Sequence, residues 1–308
     1  GSMYTQMPLL RMTDRICEDL KARIGIDRAK GTYPAYYYMR RTLGEFIQWQ
    51  FKTKDIAFGQ LSEQFIHDYQ NFVMDVKGYA VDTVRHYLAI LKKICRIAYK
   101  EGYAERCHFA NFTLPKQSER TPRALSREDF EKIRDVEIPA CRTTHILVRD
   151  LFLFACYTGT AYADAVSVTR DNLYTDDDGN LWLKYRRKKN ELQASVKLLP
   201  EALALIEKYH DDNRPTLFPM VRHPNLRQHM KSLAVLAGVS STLCYHQARH
   251  SFASLITLEA GVPIETISRM LGHSDITTTQ VYARVIPKKL FEDMDKYIEA
   301  TKDLKLIL

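Results

Sequence analysis

The stretch of sequence that decides the fold spans residues 246–282: it opens with H-Q-A-R-H-S-F-A, continues through M-L-G-H at 270–273 and closes with S-D-I-T-T-T-Q-V-Y. His246 and Arg249 are three residues apart, so they share one face of a predicted helix. Gly272 is typical of a helix C-terminus and delivers His273 into a turn. Tyr282 follows His273 by nine residues. Two imidazoles, a guanidinium and a phenol are thus gathered within this one stretch.

Each of these features has an ordinary explanation when it is taken alone. H-x-x-R occurs on many surface helices, a histidine after glycine often marks only a helix end, and the chain contains 18 tyrosines. The ordered combination is more specific. It resembles the tyrosine recombinase (phage integrase) family, whose catalytic domain carries H-x-x-R-H, L-G-H and a nucleophilic tyrosine in this order and at this spacing. Within that family, the sequence resembles the integrases of conjugative transposons and other mobile elements.

The resemblance implies a role for each of these side chains. Tyr282 would attack the scissile phosphate, release a 5′-hydroxyl and store the bond as a 3′-phosphotyrosine. Arg249 would hold the phosphate, while His246 and His273 would donate hydrogen bonds to its oxygens or help the tyrosine lose its proton. Lys189 lies in the run R-R-K-K-N-E between two predicted strands and matches the family's general acid.

One position departs from the family pattern. The family usually carries T-G-L-R near the end of a helix, with an acid three residues after the arginine. Residues 158–161 read T-G-T-A here, and the acid is Asp164. Ala161 therefore stands where the first catalytic arginine belongs, which implies either an inactive relative or a charge supplied from elsewhere.

Arg187 is the strongest candidate for that missing charge. It lies two residues before Lys189, and alternate residues of a strand project from the same face. Arg187 would then point into the site beside Lys189, while Arg186 and Lys188 point away. Two fallbacks with less geometric support are Arg149 and Arg170.

The expected chemistry requires no metal or other cofactor. Planar guanidinium groups can hold the negative oxygens of a pentacoordinate phosphate in two places, and a phenol with a free pKa of about 10 needs help to lose its proton. A two-metal nuclease would instead need a carboxylate cluster, which the sequence does not offer. Among the neighbouring side chains, His250 is expected to be structural.

Composition and charge are compatible with a polyanionic partner. The 308 residues suggest two domains and include 45 lysines and arginines against 37 acids, a net charge of +8. Residues 1–120 hold 19 of the basic residues and 13 of the acids, so most of the excess lies in the first part. A basic excess favours nucleic acid through counterion release, although it also serves plain solubility.

The sequence predicts a cytoplasmic protein with no membrane partner. No apolar run is long enough to span a bilayer, and no secretory signal is recognisable. The six cysteines are scattered without a C-x-x-C pair, which fits reduced thiols better than zinc ligands or disulfides. The opening Gly-Ser-Met is typical of a tag remnant, so residues 1–7 are expected to be a remnant and a disordered start.

Residues 8–112 predict a small helical bundle that resembles the core-DNA-binding (SAM-like) domain of integrases. Its clearest helix starts at Asp82 and carries an apolar stripe. A basic stripe follows the same helix, and its members are Arg85, Lys92, Lys93, Arg96 and Lys100. Because no acid interrupts this stripe, we expect it to contact DNA phosphates; a solvated face is the alternative.

Residues 113–124 combine proline and charge without a period, which predicts a linker. Residues 125–308 would form the catalytic domain, with strands between 173 and 199 around a Gly179-Asn180 turn and a C-terminal exchange tail from about residue 287. The fold class is therefore mainly α with a small antiparallel β-sheet in the second domain. The resemblance implies that the helical domain and the α+β tyrosine recombinase domain close as a C-shaped clamp on DNA.

The resemblance implies a site-specific recombinase, the integrase of a mobile element, acting in a bacterial cytoplasm on nucleoid DNA. Strand exchange joins two double-stranded DNA sites, so free monomers would assemble into a homotetramer whose tails dock on neighbours. The tail offers an apolar stripe at Leu290, Met294, Tyr297 and Ile298. Accessory DNA-bending proteins are further candidate partners. Two alternatives remain, a catalytically silent DNA-binding relative and a type IB topoisomerase-like enzyme.

Overall fold

A computed structural model describes most of the chain, namely residues 7–27, 31–105, 107, 109, 111–118, 123–240, 242–282, 294–296 and 298–299. The chain divides between residues 119 and 120 into two compact units, here named unit 1 and unit 2, and that boundary falls within the predicted linker. The predicted disordered start lies outside the described residues except for Met7, which packs against the core of unit 1. In the predicted tail stripe, Leu290 and Tyr297 lie outside the described residues, and Met294 and Ile298 are half-exposed.

Unit 1 is a helical bundle around one apolar core. Its helices are α1 (Leu9–Ala22), α2 (Thr32–Phe51), α3 (Glu63–Asn71) and α4 (Val81–Lys100). The Ser62 hydroxyl accepts a hydrogen bond from the Phe65 amide at 3.0 Å, which satisfies a free N–H group and starts α3. π-Helical turns prolong α3 as far as Val76, and Gly78 follows with φ +66°. The apolar stripe predicted on α4 is buried throughout, as an amphipathic helix requires.

Unit 2 is built around one long helix that is buried along most of its length. The elements in chain order are α5 (Arg127–Asp135), α6 (Thr143–Thr158), α7 (Tyr162–Ala165), β1 (Leu173–Thr175), β2 (Leu181–Arg186), β3 (Gln193–Lys197), α8 (Pro200–Lys208), α9 (His223–Leu236), α10 (His246–Ser251), α11 (Ile264–Met270) and α12 (Thr277–Gln280). The central element is α6, and α8, α9 and α10 pack against it. After its last residue α10 continues as π-helical turns through Leu258.

The three strands form an antiparallel sheet in the order β1-β2-β3. Its buried face pairs Leu183 with Val196 and Tyr185 with Ala194, while the residues between them face outwards. The alternation continues one residue beyond β2, so Arg187 is 7% exposed. The predicted class, mainly helical with a small antiparallel sheet in the second domain, is confirmed.

Candidate active site

Tyr282 lies just after α12 and is only 7% exposed, packed against the core of unit 2. Its hydroxyl oxygen lies 2.6 Å from Nδ1 of His250 on α10. The ring of His246 meets the ring of His250 edge-on, with ring centroids 4.6 Å apart, because residues four apart are neighbours on a helix surface. Helix α10 thus contributes two adjacent imidazoles, the second of which contacts the predicted nucleophile.

Arg249 is buried, with 2% of its surface exposed. Its Nη1 donates to the carbonyl of Gly159 at 2.6 Å, and its Nη2 donates to the carbonyl of Leu271. Gly159 ends α6 with φ +70°, and a Cβ atom there would lie 2.7 Å from Cδ1 of Phe252. Burial and the charge of Arg187 lower the pKa of Arg249 to about 10. Two carbonyls from two elements therefore fix a cation in an environment that disfavours its charge.

Arg187 reaches the same site from the sheet. Its Nη1 donates to the carbonyl of Gly272 at 3.0 Å, and its Nε lies 3.8 Å from Oδ2 of Asp164. The Asn190 side chain donates to the same carbonyl at 3.2 Å. Gly272 has φ +58°, and a Cβ atom there would lie 2.7 Å from Cδ of Arg187. Among the described residues, Nε of Arg187 is buried without a hydrogen-bond partner.

His273 and Lys189 complete the set of predicted catalytic residues. Nδ1 of His273 lies 2.7 Å from the hydroxyl of Thr279, which is fully buried in α12. Lys189 lies in the exposed turn between β2 and β3. Its charge contributes to lowering the pKa of His246 and of His273. The hairpin turn and the helical segments therefore share one electrostatic environment.

Each of the three histidines of the site has a pKa below its ordinary value, which favours the neutral imidazole. Burial, followed by the charges of Arg249 and Arg187, lowers the pKa of His273 to about 4. Burial, followed by His246 and Arg249, lowers the pKa of His250 to about 4. The pKa of His246 is also lowered, first by burial, although this ring is the most exposed of the three. Burial raises the pKa of Tyr282, and Arg249 opposes that rise.

The fallback arginines are engaged elsewhere in unit 2. Arg149 pairs with Asp150 at 2.8 Å, and Arg170 pairs with Asp212 at 3.1 Å. Ala161 immediately precedes α7 and is partly buried. Arg187 is therefore the candidate whose contacts lie among the other predicted residues.

The basic stripe predicted on α4 divides into two groups. Arg85 donates from Nη1 to the carbonyl of Pro115, and Lys92 donates from Nζ to the carbonyl of Phe112 at 3.4 Å. These two side chains hold the segment after α4 against the helix. Part of the predicted linker is consequently attached to unit 1.

The second group of the stripe points towards solvent or an aromatic ring. Arg96 and Lys100 are exposed. The ammonium of Lys93 lies 5.7 Å from the ring centroid of Tyr36 on α2, within reach of a cation–π interaction. These three cations are the members of the stripe that can contact a phosphate without first breaking a hydrogen bond to a backbone carbonyl.

Three contacts of the site were not anticipated from the sequence. His250, expected to be structural, contacts Tyr282; its spacing of four from His246 was the one signal that it shares that face. Thr279 contacts His273 and Asn190 contacts the Gly272 carbonyl. Neither has a sequence signal, because each contact joins elements whose packing depends on the whole unit.

The described residues contain no group of three or more His, Cys, Asp or Glu side chains that could hold a metal ion. All six cysteines are free thiols. None of the described helices is both long and apolar enough to cross a bilayer.

Two family models match the chain. The model described as the phage integrase family matches residues 124–289, and the model described as the phage integrase SAM-like domain matches residues 9–114. With the fold and the site, these matches define the class: a tyrosine recombinase, an enzyme that breaks and rejoins DNA at specific sites. The chain belongs to the phage integrase family.

Curated relatives carry the name tyrosine recombinase XerD. The protein of Listeria monocytogenes serovar 1/2a is 25% identical over 269 residues, covering 81% of this chain and 87% of that protein. The protein of Proteus mirabilis is 28% identical over 233 residues, covering 70% of this chain and 71% of that protein.

Solved structures with a similar fold hold DNA. The XerH site-specific recombinase in a post-cleavage complex with its difH substrate has a TM-score of 0.70 at 18% identity, covering 92% of this chain and 84% of that chain. The Tn1549 transposon integrase with circular intermediate DNA has a TM-score of 0.69 at 13% identity, covering 94% and 99%. A lambda integrase tetramer on a Holliday junction has a TM-score of 0.69 at 16% identity, covering 90% and 78%. At these identities the likeness concerns the fold.

Proposed function

We propose that this recombinase cuts duplex DNA by attack of Tyr282 on a scissile phosphate and rejoins it from a 3′-phosphotyrosine. The observation that carries the proposal is the buried pair Arg187 and Arg249, of which Arg249 interacts electrostatically with the buried Tyr282. Among the described residues, Asp164 is the carboxylate that interacts with this pair, so positive charge is in excess. A DNA phosphate would offset that excess, and guanidinium groups are suited to donate hydrogen bonds to its oxygens.

The proposed roles follow from the donors that each side chain has left. Arg249 and Arg187 hold the non-bridging oxygens, where negative charge grows in the transition state. When Thr279 donates to Nδ1 of His273, the ring hydrogen of that histidine lies on Nε2 and can be donated to the phosphate. His246 donates a second hydrogen bond, and Lys189 protonates the leaving 5′-oxygen.

The charge missing at Ala161 is, on this proposal, supplied by Arg187. The side chain is buried, it shares the Gly272 carbonyl with Asn190, and its charge lowers the pKa of Arg249. A silent relative would have no need for a second buried cation, which is costly without an anion.

The assembly that fits this chemistry is a homotetramer that joins two double-stranded DNA sites. Support comes from the similar folds of the Tn1549 transposon integrase and of the lambda integrase tetramer on a Holliday junction. The chain would act as the integrase of a mobile element in a bacterial cytoplasm and would be monomeric when free. The net charge of +8 suits nucleoid DNA as a partner, with accessory bending proteins assisting.

Covalent trapping on nicked suicide substrates tests the proposal, with DNA taken from the junctions that the native protein leaves in cells. Tyr282→Phe keeps the ring and removes the hydroxyl, so we expect unchanged DNA binding and no adduct. Tyr174→Phe, on the outer face of the sheet, is the matched control and should form the adduct normally. A peptide map that places the adduct on Tyr245 would contradict the assignment. Relaxation of plasmids that lack the site would indicate a topoisomerase instead.

A further inference from the structure

The contact between His250 and Tyr282 has no role in the mechanism described so far. Within the described part of the chain, Nδ1 of His250 is the single hydrogen-bond partner of the Tyr282 hydroxyl. The separation of 2.6 Å is short for an O–H···N bond, and the tyrosine is buried. Bulk water is therefore poorly placed to remove the phenolic proton.

The protonation states of the two groups give the hydrogen bond a direction. Burial raises the pKa of Tyr282, so the phenol keeps its proton at neutral pH. Burial and the neighbouring His246 and Arg249 lower the pKa of His250 to about 4, so the neutral imidazole is favoured and one ring nitrogen is free to accept a proton. With the ring hydrogen on Nε2, the Tyr282 hydroxyl donates to Nδ1. The ground state is thus a protonated nucleophile held on a neutral base.

We propose that His250 is the catalytic base that takes the proton of Tyr282 during strand cleavage. This inference rests on the proposed function, in which Tyr282 is the nucleophile. The O–H bond of Tyr282 breaks and an N–H bond forms at Nδ1 of His250, while the phenolic oxygen forms a bond to phosphorus. The P–O5′ bond breaks, and the leaving oxygen takes a proton from Lys189. Religation reverses each step, and His250 returns the proton to the departing phenol.

The other two imidazoles are less suited to this step. Nδ1 of His273 is occupied by Thr279, and the ring of His246 contacts the ring of His250 rather than the phenol. Both are then left to serve the phosphate. His250 would thus serve the nucleophile, while His246 and His273 would serve the phosphate oxygens in the transition state.

Binding of DNA makes His250 a stronger base at the moment it is needed. The charged and titratable groups that face it among the described residues are His246 and Arg249 on its own helix and Tyr282 after α12. Arg249 disfavours protonation of His250 in the free protein. A phosphate held by Arg249 neutralises that effect, because an opposite charge favours the protonated imidazole.

The test measures the rate of adduct formation by the full-length protein on the suicide substrate. His250→Asn retains a hydrogen-bonding group near the position of Nδ1 but cannot accept the proton at neutral pH. We expect a loss of about 10²-fold or more, the usual contribution of a general base, with DNA binding and thermal melting unchanged. His210→Asn, at an exposed site beside Arg170, is the matched control.

Two readouts separate proton transfer from a structural role. In His250→Asn the rate should rise with pH, because hydroxide replaces the base, and a more acidic fluorotyrosine at position 282 should restore most of the rate. A substrate with sulfur in place of the 5′-bridging oxygen needs no protonated leaving group. It should rescue Lys189→Ala and leave His250→Asn slow.

The outcomes distinguish this inference from the proposed function. If the native protein forms no adduct on Tyr282, both are overturned. If it forms the adduct and His250→Asn matches its rate at every pH, only the assignment of His250 falls. A loss that neither pH nor the fluorinated tyrosine changes would make His250 a positioning residue and would also overturn the assignment as a base.

Discussion

At the scale of single residues, two glycines bind the buried arginines of the site through their backbone carbonyls. The carbonyl of Gly159 accepts from Arg249, and the carbonyl of Gly272 accepts from Arg187. Both glycines have positive φ, and a Cβ atom at either would lie 2.7 Å from a side-chain atom. At Gly272 that atom belongs to Arg187 itself, so the arginine and the glycine depend on each other.

Replacing Arg187 tests whether it supplies the charge missing at Ala161. Arg187→Ala should lower the cleavage rate about 10²–10³-fold while sparing DNA binding, judging from comparable donors to a transition-state oxyanion. Arg186→Ala, exposed on the opposite face, should cleave normally. Ala161→Arg added to Arg187→Ala should restore part of the rate. Normal cleavage by Arg187→Ala in the suicide-substrate assay would refute the idea.

Gly272→Ala should impair cleavage by displacing Arg187. The new Cβ atom would collide with Cδ of the arginine, and φ of +58° is unfavourable for alanine by about 1–2 kcal/mol. Gly179→Ala is the matched control, since it has φ +81° but nothing within 4 Å of the added atom. In urea unfolding Gly179→Ala should lose only the stability that backbone strain costs, whereas Gly272→Ala should lose more because of the added collision. Only Gly272→Ala should lose about 10²-fold in cleavage rate. If the two variants cleaved DNA at equal rates, Gly272 would not be needed to position Arg187 for cleavage.

The lowered pKa values of His250 and His273 make the stability of unit 2 depend on pH. Each has a pKa of about 4 in the folded protein against about 6.5 unfolded, so the unfolded chain binds more protons between these values. The free energy of unfolding should therefore fall as pH drops from about 6.5 to about 4, by on the order of 1 kcal/mol per ring after allowance for solvent screening.

One tryptophan lies in each unit, which permits a separate measurement on unit 2. Urea unfolding of Trp49→Phe, followed through Trp182, should give a lower free energy at about pH 5 than at about pH 7. Replacing His250 and His273 together by Asn should remove much of that difference. An undiminished difference would assign the pH dependence to other groups.

At the scale of the elements, α4 combines a buried apolar face with an exposed basic face that we predict contacts DNA. Replacing Lys93, Arg96 and Lys100 by Gln should weaken binding similarly on any DNA sequence. The slope of log affinity against log salt should flatten by roughly 0.9 for each phosphate contact that is lost. Fluorescence anisotropy over a salt series would measure this, and an unchanged slope would make the stripe a solvated face.

Arg85→Gln is the informative comparison for that series. Its guanidinium binds the Pro115 carbonyl, so the substitution should also loosen the segment after α4. Unfolding of unit 1, followed through Trp49 in a Trp182→Phe background, should become easier. The triple variant on the exposed cations should change that transition less, because the one contact within unit 1 described for these side chains is that of Lys93 with Tyr36.

Local sequence signals were sufficient for most elements. The hydroxyl of Ser62 starts α3, that of Ser126 accepts from the Asp129 amide at α5, and the alternation in β2 extends to Arg187. Contacts between distant segments were not predictable in the same way. The pairing of His250 with Tyr282 depends on how the residues after α12 pack on α10, and no periodicity carries that information.

At the scale of the whole molecule, we predict assembly through the C-terminal tail. Deleting the residues after Pro287 should leave single-protomer DNA binding intact, because the basic stripe and the site precede it. Tetrameric complexes on paired sites and strand exchange should be lost. Native mass spectrometry of the DNA complexes would measure this. Tetramers formed by the truncated protein would mean that the tail does not join neighbours.

The carbonyls that bind the two buried arginines belong to the main chain, and this has an evolutionary consequence. The carbonyl oxygens of Gly159 and Gly272 do not depend on residue type, because every residue supplies a backbone carbonyl. If Arg187 supplies the charge that Ala161 lacks, as proposed above, a lineage could gain an arginine at position 187 before losing one at position 161 and would stay active throughout. The positive charge would then keep its place in the site while the arginine that supplies it changes its position in the sequence. Searches for active relatives that demand an arginine at position 161 would overlook such lineages.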